Sequence, residues 1–182
     1  MIELRFHGRG GQGGVTSSEL TALAAIEDGK YAQAFPSFGP ERRGAPVQAF
    51  VRVSNNPILS REKIYSPDIV VVLDNTLLDI VDVGAGIKEG GLVVLNTKLS
   101  PSEARAKLGI KCKIAVVDAT RIAMETMHLP ITNTTMLGAL LRASGMYPLE
   151  ALRAPIQKRF GLIADRNFTA CERAYKETLV EE

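Results

Sequence analysis

The chain has 182 residues, 46% apolar and 23% charged, with a formal net charge of +2. That length suits one α/β domain with a real core, and so small a charge excess argues against a nucleic-acid binder, which carries a basic stripe. No apolar run approaches the about 18 residues that a bilayer span needs, and Met1 to Phe6 reads as a strand rather than a signal peptide, so a cytoplasmic location with no membrane contact is expected.

Ile2 to His7 alternates apolar and polar residues and then meets glycines, the pattern of a strand running into a turn. From Val15 to Asp28 apolar residues recur at helical spacing, and Gly29 supplies a left-handed stop. Tyr31 to Phe35 is a short second strand, so the chain is expected to open with a β-α-β unit. Pro36 to Pro46 holds Pro36, Pro40, Pro46, Gly39 and Gly44 around a charged centre and reads as an ordered loop. Val47 to Val53 alternates like a half-buried strand, with Gln48, Phe50 and Arg52 on its second face.

Ile69 to Leu73, Gly91 to Leu95 and Cys112 to Val117 are apolar runs expected of strands covered on both faces. Helices are predicted after each, over 76–83, 101–108 and 119–127, the first capped by Asn75 and the second by Ser100. Beyond Thr132 the strand signals stop, and helices are expected over 134–144, 148–160 and 165–179. Strands alternating with helices predict an α/β fold: one domain over 1–182, with a single doubly wound, mostly parallel, Rossmann-like sheet and a helical C-terminal third.

The chemistry concentrates in Gly8-Arg9-Gly10-Gly11-Gln12-Gly13, between the first strand and the first helix. Gly8, Gly10 and Gly13 have GxGxxG spacing. Lacking Cβ atoms, they let backbone N–H groups approach a phosphate at a helix N-terminus, and Arg9 adds a positive charge. A nicotinamide dinucleotide needs an acid at the end of the second strand. Here that strand ends Ala34-Phe35-Pro36 and Asp28 falls before it, which disfavours such a cofactor. Another phosphate group, such as the nucleotide end of coenzyme A, and a tight turn facing a partner subunit both remain open.

Phe38, Gly39, Pro40, Glu41, Arg42 and Arg43 form the charged centre of the proline-rich loop. The two arginines suit bidentate contacts to carboxylate or phosphate, so the loop reads as a subunit or substrate-side contact. A solvated loop with an internal Glu41–Arg pair is the alternative. Asn133 and Thr134 stand before an apolar helix, Asn133 as an N-cap or, with Thr134, as a ligand or partner contact. His7 reads as a histidine making ordinary hydrogen bonds. Cys112 and Cys171 form no close pair, and His7 and His128 lie far apart, so no metal or cluster ligand set and no catalytic residue is assigned.

Three blocks carry a family resemblance. Phe6 to Gly13 resembles the start of the gamma subunits of 2-oxoacid:ferredoxin oxidoreductases. Lys30 to Val47, with its Gly39-Pro40-Glu41-Arg42-Arg43-Gly44 centre, is similar to the pyruvate and branched-chain oxoacid members. Ile131-Thr132-Asn133-Thr134-Thr135-Met136-Leu137-Gly138-Ala139 resembles a third block. The resemblance implies a non-redox subunit, inactive alone, with alpha, beta and delta-type partners and ferredoxin reached through the complex. Thiamine diphosphate, Mg2+ and iron–sulfur clusters would sit on those partners, with coenzyme A shared. The reaction implied is oxidative decarboxylation of a 2-oxoacid to an acyl-CoA. A stand-alone Rossmann-like nucleotide-binding module and a purely structural assembly subunit are the alternatives.

Overall fold

The structure, a computed structural model, describes residues 1–37 and 43–182. Phe38, Gly39, Pro40, Glu41 and Arg42 of the predicted loop lie outside the described residues. Strand β1 (Ile2–Arg9) leads into helix α1 (Gly14–Glu27), then β2 (Tyr31–Pro36), β3 (Pro46–Ser54) and β4 (Ile69–Val72). After β4 come β5 (Leu92–Asn96), α2 (Pro101–Leu108), β6 (Lys113–Val117) and α3 (Ala119–Met127). Helices α4 (Asn133–Ser144), α5 (Arg153–Phe160) and α6 (Ala164–Glu177) follow, then a short β7 (Leu179–Glu181).

The strands form one sheet in the order β2-β3-β1-β4-β5-β6-β7. β3 is antiparallel to both β1 and β2, and β7 is antiparallel to β6; the other pairings, β1–β4, β4–β5 and β5–β6, are parallel. Five strands therefore run one way, which makes the sheet mostly parallel as expected. The expected β-α-β unit is split, because β3 inserts between β1 and β2. The chain moves to one side of β1 for β2 and β3 and to the other side for β4, so the carboxyl ends of β1 and β4 meet at a switch point.

Strand periodicity sorts the core. Leu4, Phe6, Val51, Val71, Val94 and Ala115 face one layer with residues of α1, α3, α4, α5 and α6. Val70, Val72, Val93, Leu95, Ile114 and Val116 face the other with Leu77, Val83 and Ala104. The polar faces of β1 and β3 are buried too, which corrects the half-buried reading of β3. Phe50, Arg52, Arg5 and His7 are all nearly inaccessible. Arg52 donates to Glu3 Oε1 at 2.9 Å and to the Glu62 carbonyl at 2.6 Å, and it stacks on Phe35. Arg5 donates to His7 Nε2 at 2.9 Å and to the carbonyls of Val83 and Ala85. Alternation alone does not tell a solvated polar face from one whose charges are satisfied by covering loops.

Other differences are local. The expected helix over 76–83 is one 3-10 turn, Asn75–Asp79, and its cap is Asp74, which accepts from the Thr76 N–H. Ser100 caps α2 with a reciprocal capping box to Glu103, as its spacing indicated. The final helix ends at Glu177, and the residues after it pair with β6, a strand too short to show a period. No helix among the described residues is long and apolar enough to cross a membrane.

Candidate functional site

The strands β1, β4, β5 and β6 end at the same edge of the sheet, and the glycine turn follows β1 at that edge, next to the end of β4. Gly11 and Gly13 take left-handed φ values of 91° and 83°, which the missing Cβ permits. The Gln12 side chain closes the turn: its Oε1 accepts from the Arg9 N–H at 2.8 Å and its Nε2 donates to Asp74 Oδ2 at 2.6 Å. The turn is thereby tied to the first residues after β4.

Arg9 carries the turn's charge, and its guanidinium is already engaged. Nε and Nη2 donate to Thr76 Oγ1 at 3.2 and 2.8 Å, Nη1 donates to the Gly44 carbonyl at 3.0 Å, and Nε lies 3.3 Å from Asp74 Oδ2. Burial is the largest influence on Asp74 and raises its affinity for a proton. Hydrogen bonds from Gln12 and Thr76, with the Arg9 charge, outweigh it and hold the carboxyl below its ordinary range. Asp74 is thus a fixed negative charge that orients Arg9 and Gln12. Gly10 exchanges backbone bonds with the 44–45 arm, its N–H donating to the Ala45 carbonyl and its carbonyl accepting from Gly44. Arg43 is exposed beside Gly11.

Asn133 packs on Gly13. A Cβ placed on Gly13 would lie 2.6 Å from Asn133 Nδ2 and 3.0 Å from its Cβ. Asn133 is the first residue of α4 and not its cap; its Oδ1 accepts from the Thr134 N–H at 2.8 Å. Thr134 turns the other way, buried, its hydroxyl donating to Asn167 Oδ1 on α6. The structure therefore brings Gly8 to Gly13, Arg43 and Asn133 together and points Thr134 into the helical layer. We expect Gly13→Ala to combine a left-handed strain with this clash. It should cost roughly 2 kcal/mol and lower Tm by about 4–8 °C. Thermal melts of the purified chain check this, and an unchanged Tm would show that α4 yields without cost.

Two grooves flank the turn. One, of about 360 Å³, runs from Arg9, Gly11 and Gly13 past the α1 N-terminus at Gly14 to Thr16, and across to Ser37 and Gln48. No acidic side chain occupies the first turn of α1, so its positive end faces this groove unneutralised from within the helix. The other, of about 390 Å³, lies over the carboxyl ends of β4 to β6 and is lined by Thr76, Asp79, Asn96, Lys98, Asp118 and Thr120, among others. Asn96 organises it: Nδ2 donates to the Leu73 carbonyl and Thr120 Oγ1, both at 2.9 Å, and Oδ1 accepts from the Thr120 N–H. Arg9 lines the first groove and bonds Thr76 of the second, so it stands between them.

Sequence reasoning missed Asp74, Thr76, Asn96 and Thr120. Their signal is the polar residue that ends each buried apolar run, Asp74, Asn96 and Asp118, at the edge where open α/β sheets bind ligands. Among the described residues no three His, Cys, Asp or Glu side chains approach closely enough to hold a metal ion. Cys112 and Cys171 are buried in different core layers, so the donor set does not fit a resident cluster.

A family model described as pyruvate ferredoxin/flavodoxin oxidoreductase matches residues 3–177. The pyruvate/ketoisovalerate oxidoreductases common subunit gamma of Thermococcus kodakarensis is 53% identical, with 100% of both chains covered. Pyruvate synthase subunit PorC of Methanothermobacter marburgensis is 51% identical over 97% of each chain. The crystal structure of pyruvate oxidoreductase subunit PORC from Thermotoga maritima superposes with a TM-score of 0.89 at 43% identity, covering 100% of this chain and 98% of that one.

Proposed function

The chain belongs to the pyruvate ferredoxin/flavodoxin oxidoreductase family, as a gamma-type subunit of a multi-subunit enzyme, and from that premise we propose that it is the non-redox subunit that presents coenzyme A to the catalytic subunits. The reaction is oxidative decarboxylation of a 2-oxoacid to an acyl-CoA, with electrons leaving to ferredoxin. The 53% identity to a subunit named as common to pyruvate and ketoisovalerate oxidoreductases carries this reading and favours pyruvate and 2-oxoisovalerate as substrates. Thiamine diphosphate, Mg2+ and the iron–sulfur clusters belong on the alpha, beta and delta-type partners, and the assembly works in the cytoplasm.

Within that division of labour the chain binds and orients. The phosphates of coenzyme A are anions, and the turn offers the positive end of α1 beside Arg9. Arg43 stands beside Gly11 at this site, and the proline-rich segment that carries Glu41, Arg42 and Arg43 would meet substrate or a partner. For Arg9 to bond a phosphate it must exchange Thr76 Oγ1 or the Gly44 carbonyl for a phosphate oxygen. Asp74 and Gln12 keep it poised while it does so.

The competing reading, an idle structural turn, is favoured by one observation: Arg9 and the Gly10 N–H are already hydrogen-bonded inside the chain. Arg9→Gln in the assembled enzyme separates the two. If Arg9 holds a phosphate, KM for coenzyme A rises about tenfold, the equivalent of about 1.4 kcal/mol, while KM for the 2-oxoacid stays put. If the turn is idle, both constants stay at the wild-type value.

A further inference from the structure

The bend between α5 and α6, Gly161 to Ile163, carries an apolar corner turned outward. Leu162 is fully exposed and Ile163 half exposed, while Phe160 before them packs on the core. Lys158 and Arg159 precede Leu162, and Arg166 follows it one helical turn on. All three are exposed and none forms an ion pair among the described residues. Asp165 is the one carboxylate within this run, since Glu150 is engaged with Arg153 at 3.0 Å.

The corner is continuous with the candidate site. Arg159 Nη2 reaches Thr16 Oγ1 at 3.5 Å in the first turn of α1, and a groove of about 240 Å³ separates the two helices. Thr16, Glu19, Leu23, Lys158 and Arg159 line that groove, and Val15 and Leu23 extend the exposed apolar surface along α1. Three cations against Asp165 and Glu19, with the positive end of α1 close by, leave this face electropositive around an apolar projection.

We propose that the α5–α6 corner is a docking surface for another subunit of the oxidoreductase, which offers an apolar pocket with an acidic rim that receives Leu162. The inference rests on the subunit reading above. Charge selects the occupant. A carboxylate-rimmed pocket satisfies Lys158, Arg159 and Arg166 at the edge of the contact while Leu162 leaves water. A second copy of this chain would place the same cations against each other in a two-fold contact, which like charges oppose. Docking here also sets the partner beside the α1 N-terminus, so that a ligand on the glycine turn would lie at the subunit boundary.

The test co-expresses the tagged full-length chain with its alpha, beta and delta-type partners and measures the assembled fraction by size exclusion. Leu162→Asp, and the triple reversal Lys158→Glu, Arg159→Glu and Arg166→Glu, should each lower that fraction about tenfold while the isolated variants melt with the wild type. Leu59→Asp, at an exposed site in the β3–β4 connection, should assemble normally, and wild-type assembly should weaken as salt rises. Assembly of both corner variants at the wild-type level overturns this surface and leaves the subunit reading standing. So does an equal loss in Leu59→Asp, or an effect confined to self-association of the chain. A wild-type chain that recovers no partner overturns both.

Discussion

Replacing Gly138 by alanine should destabilise the protein by at least about 3 kcal/mol, the upper range for overpacking, because no space exists for the added methyl group. A Cβ at Gly138 would sit 2.0 Å from the Cys171 carbonyl oxygen and 2.8 Å from its carbonyl carbon. The obstruction is the backbone of α6, which has no rotamer to change, so α4 and α6 must separate along their whole contact. That separation also disturbs the Cys171 Sγ bond to the Thr134 carbonyl and the Thr134–Asn167 bond. The helix-propensity gain of alanine over glycine, about 1 kcal/mol, works in the opposite direction and is too small to compensate. For a domain of this size the loss corresponds to a Tm fall of roughly 6–12 °C. Thermal and urea unfolding measure it. Equal stability of Gly138→Ala and wild type would mean that the two helices are not in backbone contact.

His7 should make the protein acid-sensitive in a defined window. Burial, and secondarily the neighbouring Arg5 charge, lower its pKa from 6.5 to about 3. Between those values the unfolded chain carries one more proton at His7 than the folded chain, so stability falls as pH falls through the window. The slope is about 1.4 kcal/mol per pH unit, or roughly 3 kcal/mol in all by pH 4. The native carboxylates add their own acid dependence, so the informative quantity is a difference. His7→Gln keeps an acceptor for Arg5 Nε and removes the titration. The stability difference between wild type and this variant should therefore move in the variant's favour from pH 6.5 down to pH 4. Parallel curves would show that His7 takes up its proton in the folded state.

Elements whose evidence is local were legible in the sequence. Val70 to Val72 and Val93 to Leu95 are apolar at every position because both sheet faces are covered there. Ser100 and Glu103 announce the start of α2 through the reciprocal bonds they form. The glycine turn was legible for the same reason, since its backbone angles need residues without a Cβ. What stayed hidden depends on partners distant in sequence. Nothing around Tyr31 says that β3 slips between it and β1, because strand order is a property of the whole sheet. The burial of Arg5 and Arg52 depends on carbonyls at Val83, Ala85 and Glu62 that the covering loops bring back. Arg9 looked like a charge available to a ligand, and only the approach of Thr76 and Gly44 shows it engaged. In each case a side chain's role is set by what the fold delivers to it.

If this chain is an obligatory subunit that supplies part of the coenzyme A site, as we propose, leaving it out must change how the enzyme responds to coenzyme A. The most direct measurement compares the alpha, beta and delta-type subunits purified with and without it, assayed anaerobically for 2-oxoacid-dependent ferredoxin reduction across a coenzyme A titration. The expected result is no turnover from the chain alone, coenzyme A-dependent turnover from the full assembly, and loss of that dependence or of turnover when the chain is left out. Full activity with an unchanged KM for coenzyme A in its absence would rule out that role for the chain.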